Sequence, residues 1–487
     1  MEAWGEEVGG CKGALFEGVS FWTVPRPARL FFQRTVGLQM KRRQVSEDVQ
    51  RKKKPRPHDL SSNSPSNRGK LGRLDPSLEF ISAPLKAFAV QASRKYFKAK
   101  DVGFTVHLGE KHGWRTIAKL AVRGAGELGL VLLGQSIGLF APGSHNVVPM
   151  VNSPVHHPLI NSATRLFERL AVEASVTGYR EATDQGVIKY LLLAVDLMSA
   201  RVQMVIVVHL HPTEASSDPG LNRLVALISE MKNSQLIQSL WIHYNRCSKH
   251  NSSITGREDN SWKCVHGSND LALEMPLDQM SSTMDSASKF VTPRLFFPPT
   301  VFRQANIGGF AKIIDCIRSF VTQNARVLEL YGGVGTIGLN CFDKVKRLEC
   351  SDENPYNVDC FAKSIDDLCS RVSDRKAEKL RAKLKYLHCS AKERALGDVF
   401  HKWDLLIVDP PRKGLDEEVV NELVSPSVHS KNRLKRVIYV SCGWKAFQRD
   451  CDSLLSSSRW KIVHAEGHIL FPGSDHIETL AIFDRIE

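Results

Sequence analysis

Residues 436–450 read RVIYVSCGWKAFQRD. The β-branched and aromatic run from Arg436 to Val440 predicts a buried strand, and Ser441-Cys442-Gly443 ends it before a helix starting near Lys445. A strand, a tight turn and a helix in that order are the unit of an open α/β sheet. The reading places Cys442 at the carboxyl end of a strand, the edge where such sheets bind ligands. A thiol there is a nucleophile if its pKa is lowered, and the amino end of the following helix is a candidate for doing so. Packing is the alternative role, since free cysteine is among the most buried residue types.

The surrounding sequence repeats that unit. Strand patterns fall at 326–331, 345–351, 384–389, 404–410, 436–442, 460–470 and 479–484. Helical patterns lie at 309–321, 336–341, 355–370, 391–396, 417–424 and 445–456. This alternation predicts a doubly wound, seven-stranded sheet over 291–487. The last two strands leave no room for a crossover helix and must pair antiparallel.

Upstream, residues 76–255 read as an α+β domain, with helices at 84–98, 158–171 and 221–232. Its strands are expected at 103–108, 116–122, 130–133, 138–140, 187–197 and 202–210. Residues 256–290 are polar and read as a linker or loop. Residues 1–75 read as a disordered basic tail, carrying Lys41-Arg42-Arg43 and Arg51-Lys52-Lys53-Lys54-Pro55-Arg56. Those clusters resemble a bipartite nuclear-import signal or a phosphate-binding arm. Glu2, Glu6 and Glu7 weigh against an organelle transit peptide, leaving nucleus, cytoplasm and organelle open for a soluble intracellular protein.

The chain has 487 residues and a formal charge of +14, which suits a polyanionic partner such as nucleic acid. Its longest apolar runs are strand-sized, short of the roughly 18 residues a membrane-spanning helix needs. The 11 cysteines are odd in number, irregularly spaced and form no Cys-x-x-Cys pair. Reduced thiols are therefore expected, with neither a zinc site nor an iron-sulfur cluster.

Three motifs carry chemistry. Glu329-Leu330-Tyr331-Gly332-Gly333-Val334-Gly335-Thr336-Ile337-Gly338 holds G-x-G-x-x-G after the first strand, and Asp352 ends the second. Such glycines admit a nucleotide-like ligand, and the carboxylate can accept from a ribose diol. The pattern serves a dinucleotide dehydrogenase, an S-adenosylmethionine site or a ligand-free turn, with Glu329 in the strand end favouring the methyl donor. Asp409-Pro410-Pro411-Arg412-Lys413-Gly414 ends the fourth strand, where Asp409 can accept from a base edge and Arg412 can hold phosphate. Phe471-Pro472-Gly473-Ser474-Asp475-His476-Ile477-Glu478 joins the last two strands and returns Glu478 to the edge bearing Cys442, with His476 shaping the loop.

From about Phe302 onward the chain resembles the RNA 5-methyluridine (uracil-C5) methyltransferases. The likeness rests on Phe302-Arg303-Gln304-Ala305-Asn306, on the Glu329 to Gly338 turn, on Asp409 to Leu415, on Ser441-Cys442 with Arg449-Asp450, and on Phe471-Pro472 with His476 and Glu478. Gly113-Trp114-Arg115 and Gly143-Ser144-His145 look like pieces of the family's central domain. The resemblance implies a class I, Rossmann-like domain using S-adenosylmethionine on a uridine of tRNA or rRNA. It implies Cys442 as nucleophile and Glu478 as general base. Gln304, Glu329, Tyr331, Gly333, Gly335, Asp352 and Asp409 would line the cofactor, and Asp409, Arg412 and Gln304 the substrate. A monomer without metal is implied. The family's Ser-Cys-Asn-Pro is here Ser441-Cys442-Gly443-Trp444, where Trp444 either stacks on a base or packs under the helix. Two other readings remain: an RNA-binding or RNA-folding factor of little activity on the same fold, and a nicotinamide-dependent oxidoreductase.

Overall fold

The computed structural model describes residues 76–124, 135–141, 143–230, 233, 235–246, 261–278, 291–397, 400–425 and 433–486. The basic tail expected over 1–75 and the strand expected at 130–133 lie outside the described residues. Helix α1 (Phe88–Ala99) and strand β1 (Thr105–Leu108) come first. There follow β2 (Ile117–Gly124), β3 (Gln135–Phe140), β4 (Val147–Pro149), α2 (Pro158–Glu173), β5 (Ile188–Asp196) and β6 (Arg201–Val208). Next are α3 (Pro212–Ser217), α4 (Pro219–Ser229), β7 (Ile237–Tyr244) and β8 (Trp262–Gly267). A ribbon of β9 (Leu271–Glu274) and β10 (Arg294–Phe297) leads to α5 (Ile307–Phe320). The remainder alternates: β11 (Ala325–Leu330), α6 (Thr336–Leu339), β12 (Val345–Asp352), α7 (Tyr356–Ser370), α8 (Asp374–Lys383), β13 (Leu384–His388) and α9 (Ala391–Leu396). It ends with β14 (Leu405–Val408), α10 (Glu417–Val424), β15 (Arg436–Ser441), α11 (Trp444–Ser456), β16 (Trp460–Ile469) and β17 (Glu478–Arg485).

These strands form a mixed sheet in the order β1-β16-β17-β15-β14-β11-β12-β13. β13, β12, β11, β14 and β15 run parallel, and β17 is antiparallel to both β15 and β16. The seven strands expected from the carboxyl half are present with their antiparallel finish, and β1 adds an eighth, parallel to β16. Chain order reverses between β11 and β14, so the ligand crevice belongs above the carboxyl ends of those strands.

The presence of β1 corrects the domain boundary, because residues 76–108 do not go with the upstream sheet. α1 has an apolar stripe through Val90 and Phe97, which packs against this sheet and α11. Phe97 is stacked on Phe104 and lies beside Trp444 and Phe447. Its complete burial stabilises this docking by about 1.5–3 kcal/mol.

A second sheet runs β4-β3-β2-β5-β6-β7-β8, with α2 and α4 supplying Phe167, Leu170, Leu221 and Leu224 to its core. The polar linker expected over 256–290 is a second correction, since β8 and β9 lie within it. β8 pairs only with β7, so its half-exposed side chains keep the polar character that hid it. No described helix is long and apolar enough to cross a membrane.

Candidate active site

The ladder between β15 and β17 sets Val440 opposite Leu480 and Ser441 opposite Thr479. Cys442 and Glu478 are the next residues beyond that last pair, and the Glu478 charge acts on the thiol. β17 is antiparallel, so its first residue lies at the edge where β15 ends. Asp409 follows β14, whose Val408 is in register with Tyr439 of β15. Its charge acts on both Cys442 and Glu478.

This grouping sets the protonation states. Burial pushes Asp409 up to about 7. Burial, and then the charge of Asp409, pushes Glu478 up to about 8, while Arg412 opposes. The Cys442 thiol is pushed up to about 11, chiefly by burial and then by Glu478 and Asp409. The expected lowering by the start of α11 does not occur, because desolvation and two carboxylates outweigh Arg412.

Two loops surround the thiol. Arg412 is exposed and its Nη2 lies 3.4 Å from Nε2 of His476, so His476 backs the guanidinium. Burial lowers the His476 pKa, which keeps the ring a neutral acceptor. Gly443 packs so closely on this loop that a Cβ there would collide with the Arg412 carbonyl oxygen. Trp444 is not free to meet a base: it stacks on Phe447 and meets the edges of Tyr96 and Phe97.

Asp450 fixes the loop after Asp409. Its Oδ2 accepts from Tyr439 Oη at 2.7 Å and from the Leu415 amide at 2.8 Å, and its Oδ1 accepts from Arg449 Nε at 2.9 Å. Sequence reasoning gave this residue no role. A carboxylate in register with Ala446, Phe447, Cys451 and Leu454 on the buried face of α11 was the available signal.

In the glycine turn the assigned residues divide. Gly333 (φ +54°) has nothing within 4 Å of a built Cβ, so its backbone faces open space. Asp352 Oδ2 accepts from the Gly333 amide at 3.1 Å, and Tyr386 Oη donates to the Gly333 carbonyl at 2.9 Å. Gly335 (φ +83°) starts α6. Glu329 is 1% exposed and its Oε2 accepts from the Gly338 amide at 3.1 Å. Burial pushes it up to about 7, and it braces the turn from below. Tyr331 is also a brace: its hydroxyl donates to Asp416 Oδ2 at 3.1 Å and accepts from the Asp416 amide at 3.0 Å, joining the two motif loops.

The Phe302 to Asn306 segment joins the two sheets. Arg303 is buried and donates to the carbonyls of Val195 (2.8 Å) and Thr116 (3.3 Å). Asn306 caps α5 through the Gly309 amide and donates to the Leu470 carbonyl beside the Glu478 loop. Gln304 lines a cavity of about 460 Å³ together with Arg115, Lys119, Phe302, Arg412 and Phe471. Phe302 is 74% exposed, and Trp114 sets its ring edge-on to Phe471 at 5.2 Å. This cavity therefore offers cations and an aromatic face beside the loops that flank Cys442 and Glu478.

Comparison with known proteins agrees with this geometry. The family model described as tRNA (uracil-5-)-methyltransferase matches residues 278–486. An uncharacterized RNA methyltransferase of Protochlamydia amoebophila is 31% identical over 380 residues, covering 78% of this chain and 88% of its own length. Another, from Geobacter sulfurreducens, is 24% identical over 421 residues, covering 82% and 74%. The tRNA (uracil-54, C5)-methyltransferase of Pyrococcus abyssi, solved with S-adenosyl-L-homocysteine, shares the fold at a TM-score of 0.59 and 18% identity, over 87% of this chain and 88% of that one. With a relative above 30% identity aligned over most of its length, and the glycine turn, thiol and carboxylates on one sheet edge, this chain belongs to the tRNA (uracil-5-)-methyltransferase family of RNA methyltransferases.

Proposed function

We propose that the protein methylates carbon 5 of a uridine in tRNA or rRNA through a covalent adduct between Cys442 and the uracil ring. The observation that supports this reading is the β15–β17 ladder, whose last pair, Ser441 and Thr479, is followed by Cys442 on one strand and preceded by Glu478 on the other, with Asp409 just past β14 alongside. Bound S-adenosylmethionine supplies an electrophilic methyl group on a sulfonium. The open backbone at Gly333, with Asp352 tied to its amide, fits the ribose and amino-acid ends of that cofactor, and Gly335, packed on Phe361, shapes the turn that presents it.

Carbon 5 of uracil is a weak nucleophile. Addition of the Cys442 sulfur at carbon 6 moves the ring's π electrons toward oxygen 4 and makes carbon 5 nucleophilic. The thiol proton passes through the ionised fraction of Glu478 to solvent, so that Glu478 is again a carboxylate once the adduct has formed. Once carbon 5 is methylated, ionised Glu478 removes its remaining proton, the carbon 5–carbon 6 double bond re-forms and the sulfur leaves. Asp409 receives a hydrogen bond from the base, and Arg412 holds phosphate or the base's oxygen. Arg115, Lys119 and exposed Phe302 beside the cleft suit a flipped nucleotide and its backbone.

The test is incubation with 5-fluorouridine-containing tRNA and rRNA fragments plus S-adenosylmethionine. Fluorine at carbon 5 cannot leave as a proton, so a denaturation-stable protein–RNA adduct is expected from the native chain and none from Cys442→Ala. Glu478→Gln should still accumulate adduct on ordinary RNA. Intact RNA binding without adduct in the native chain would instead establish the binding-factor reading.

A further inference from the structure

His464, Glu466 and His468 alternate along β16, so the two-residue period of a strand points all three to one face. β1 pairs with β16 so that His107 stands beside His468, with their rings stacked at 4.8 Å. α5 brings Cys316 over His464, Sγ to Nε2 3.6 Å. Reading cysteine spacing alone excluded a metal site, because these five groups come from three elements far apart in the chain.

Glu466 is the centre of the cluster. Its Oε1 lies 2.8 Å from Nε2 of buried His468, a full hydrogen bond. Its Oε2 lies 3.2 Å from Nε2 of His107 and 3.3 Å from Nε2 of His464. The ligand atoms of Cys316, His464 and Glu466 fall within 4.8 Å of one another, as do those of His107, Glu466 and His468. Thiol, imidazole and carboxylate therefore meet at one point between α5 and β16. Ligands at zinc bond lengths stand roughly 3.3–3.7 Å apart along the edges of a tetrahedron, and the Cys316–His464 and His464–Glu466 separations, 3.6 and 3.3 Å, match that spacing.

We infer that Cys316, His464 and Glu466 bind one divalent transition-metal ion of the zinc class, while His468 holds the far carboxylate oxygen and His107 hydrogen-bonds the near one. One sulfur, one imidazole nitrogen and one carboxylate oxygen, with water in the fourth position, are a borderline-soft donor set, suited to zinc rather than magnesium or calcium. Orientation of a ligating carboxylate by a second side chain is the usual outer support of such sites. The ion ties helix α5 to β16. His468 lies opposite Glu478 in the β16–β17 ladder, so the ion stiffens the strand pair that presents Glu478.

The test uses the full chain, untagged and purified without chelators, with bound zinc measured by mass spectrometry and Co²⁺ as the spectroscopic probe. About one ion per chain is expected, with the intense visible bands of tetrahedral cobalt and a thiolate-to-cobalt band in the near ultraviolet. Cys316→Ser should lose the charge-transfer band, and Glu466→Gln should weaken Co²⁺ binding at least tenfold against a competing chelator, both with unchanged circular dichroism. A chain that binds no ion, or whose charge-transfer band survives Cys316→Ser, overturns the site and leaves a histidine–carboxylate hydrogen-bond network. If a variant misfolds, the native chain's cobalt spectrum and zinc content decide the question by themselves.

Discussion

Asp450→Ala tests whether one buried carboxylate holds the Asp409–Arg412 loop in place. The native side chain accepts from Tyr439 Oη, the Leu415 amide and Arg449 Nε, at 2.7, 2.8 and 2.9 Å. Hydrogen bonds to a charged group contribute about 1.5–3 kcal/mol each. The Leu415 amide is enclosed, and Gly414 packs against the carboxylate, leaving no space for a replacing side chain. Local opening at Leu415 should become easier by about that one bond, which means exchange of its amide hydrogen roughly 10- to 150-fold faster. Asp450→Asn keeps a neutral acceptor and should give a smaller change. Hydrogen exchange read at single amides by fragmentation mass spectrometry measures this directly. If the Leu415 amide in Asp450→Ala exchanges within about threefold of the native rate, the loop is held by something else and the keystone assignment is wrong.

Gly443→Ala should lower kcat by roughly ten- to a hundredfold, since its Cβ displaces the Arg412 loop and misplacement near 1 Å carries losses of that size; methyl incorporation within twofold of the native enzyme contradicts it. Glu478 gives a pH signature. Its folded pKa, about 8, lies above that of the unfolded carboxylate, so between about 4.3 and 8 the folded chain keeps a proton that the unfolded chain releases, and stability falls as pH rises. Glu478→Gln removes that slope. Its thermal midpoint should gain on the native protein between pH 5.5 and pH 8.5, and an unchanged difference would remove the assigned shift.

The carboxyl half was legible because its strands are covered on both faces. Runs such as Leu405–Val408 and Arg436–Ser441 are nearly all apolar and are separated by helices with clear stripes. The antiparallel end followed from loop length alone. What the sequence hid was held by partners distant in the chain. β1 was expected as a strand at 103–108, but which sheet it joins depends on β16, some 360 residues later. β8 is an edge strand in polar surroundings, and α8 buries only Leu380, so neither has a strong apolar period. In the candidate site, Cys442, Glu478, Asp409 and Gly333 were singled out because each lies at or just beyond an end of a recognisable strand. Glu329 and Tyr331 were named from the same motif but turn toward protein partners, Gly338 and Asp416, a distinction that one-dimensional spacing does not contain.

The high thiol pKa bears on how the proposed chemistry is gated. At about 11 for Cys442 against about 8 for Glu478, moving the proton between them in the free enzyme spans about three pKa units. That is about 4 kcal/mol before solvent screening at the partly exposed sulfur reduces it. The free enzyme therefore holds a thiol, and its three largest influences are desolvation and two carboxylates. In the proposed complex a uracil that hydrogen-bonds Asp409 would weaken one of those two acids, and its carbon 6 would accept the sulfur's electrons. Carbon–sulfur bond formation then offsets the cost of deprotonation in one event, so the nucleophile exists only while a pyrimidine occupies the cleft. An enclosed cysteine between two acids is a poor nucleophile by itself, and that is a reason to expect little off-target reaction at a residue placed on an open sheet edge.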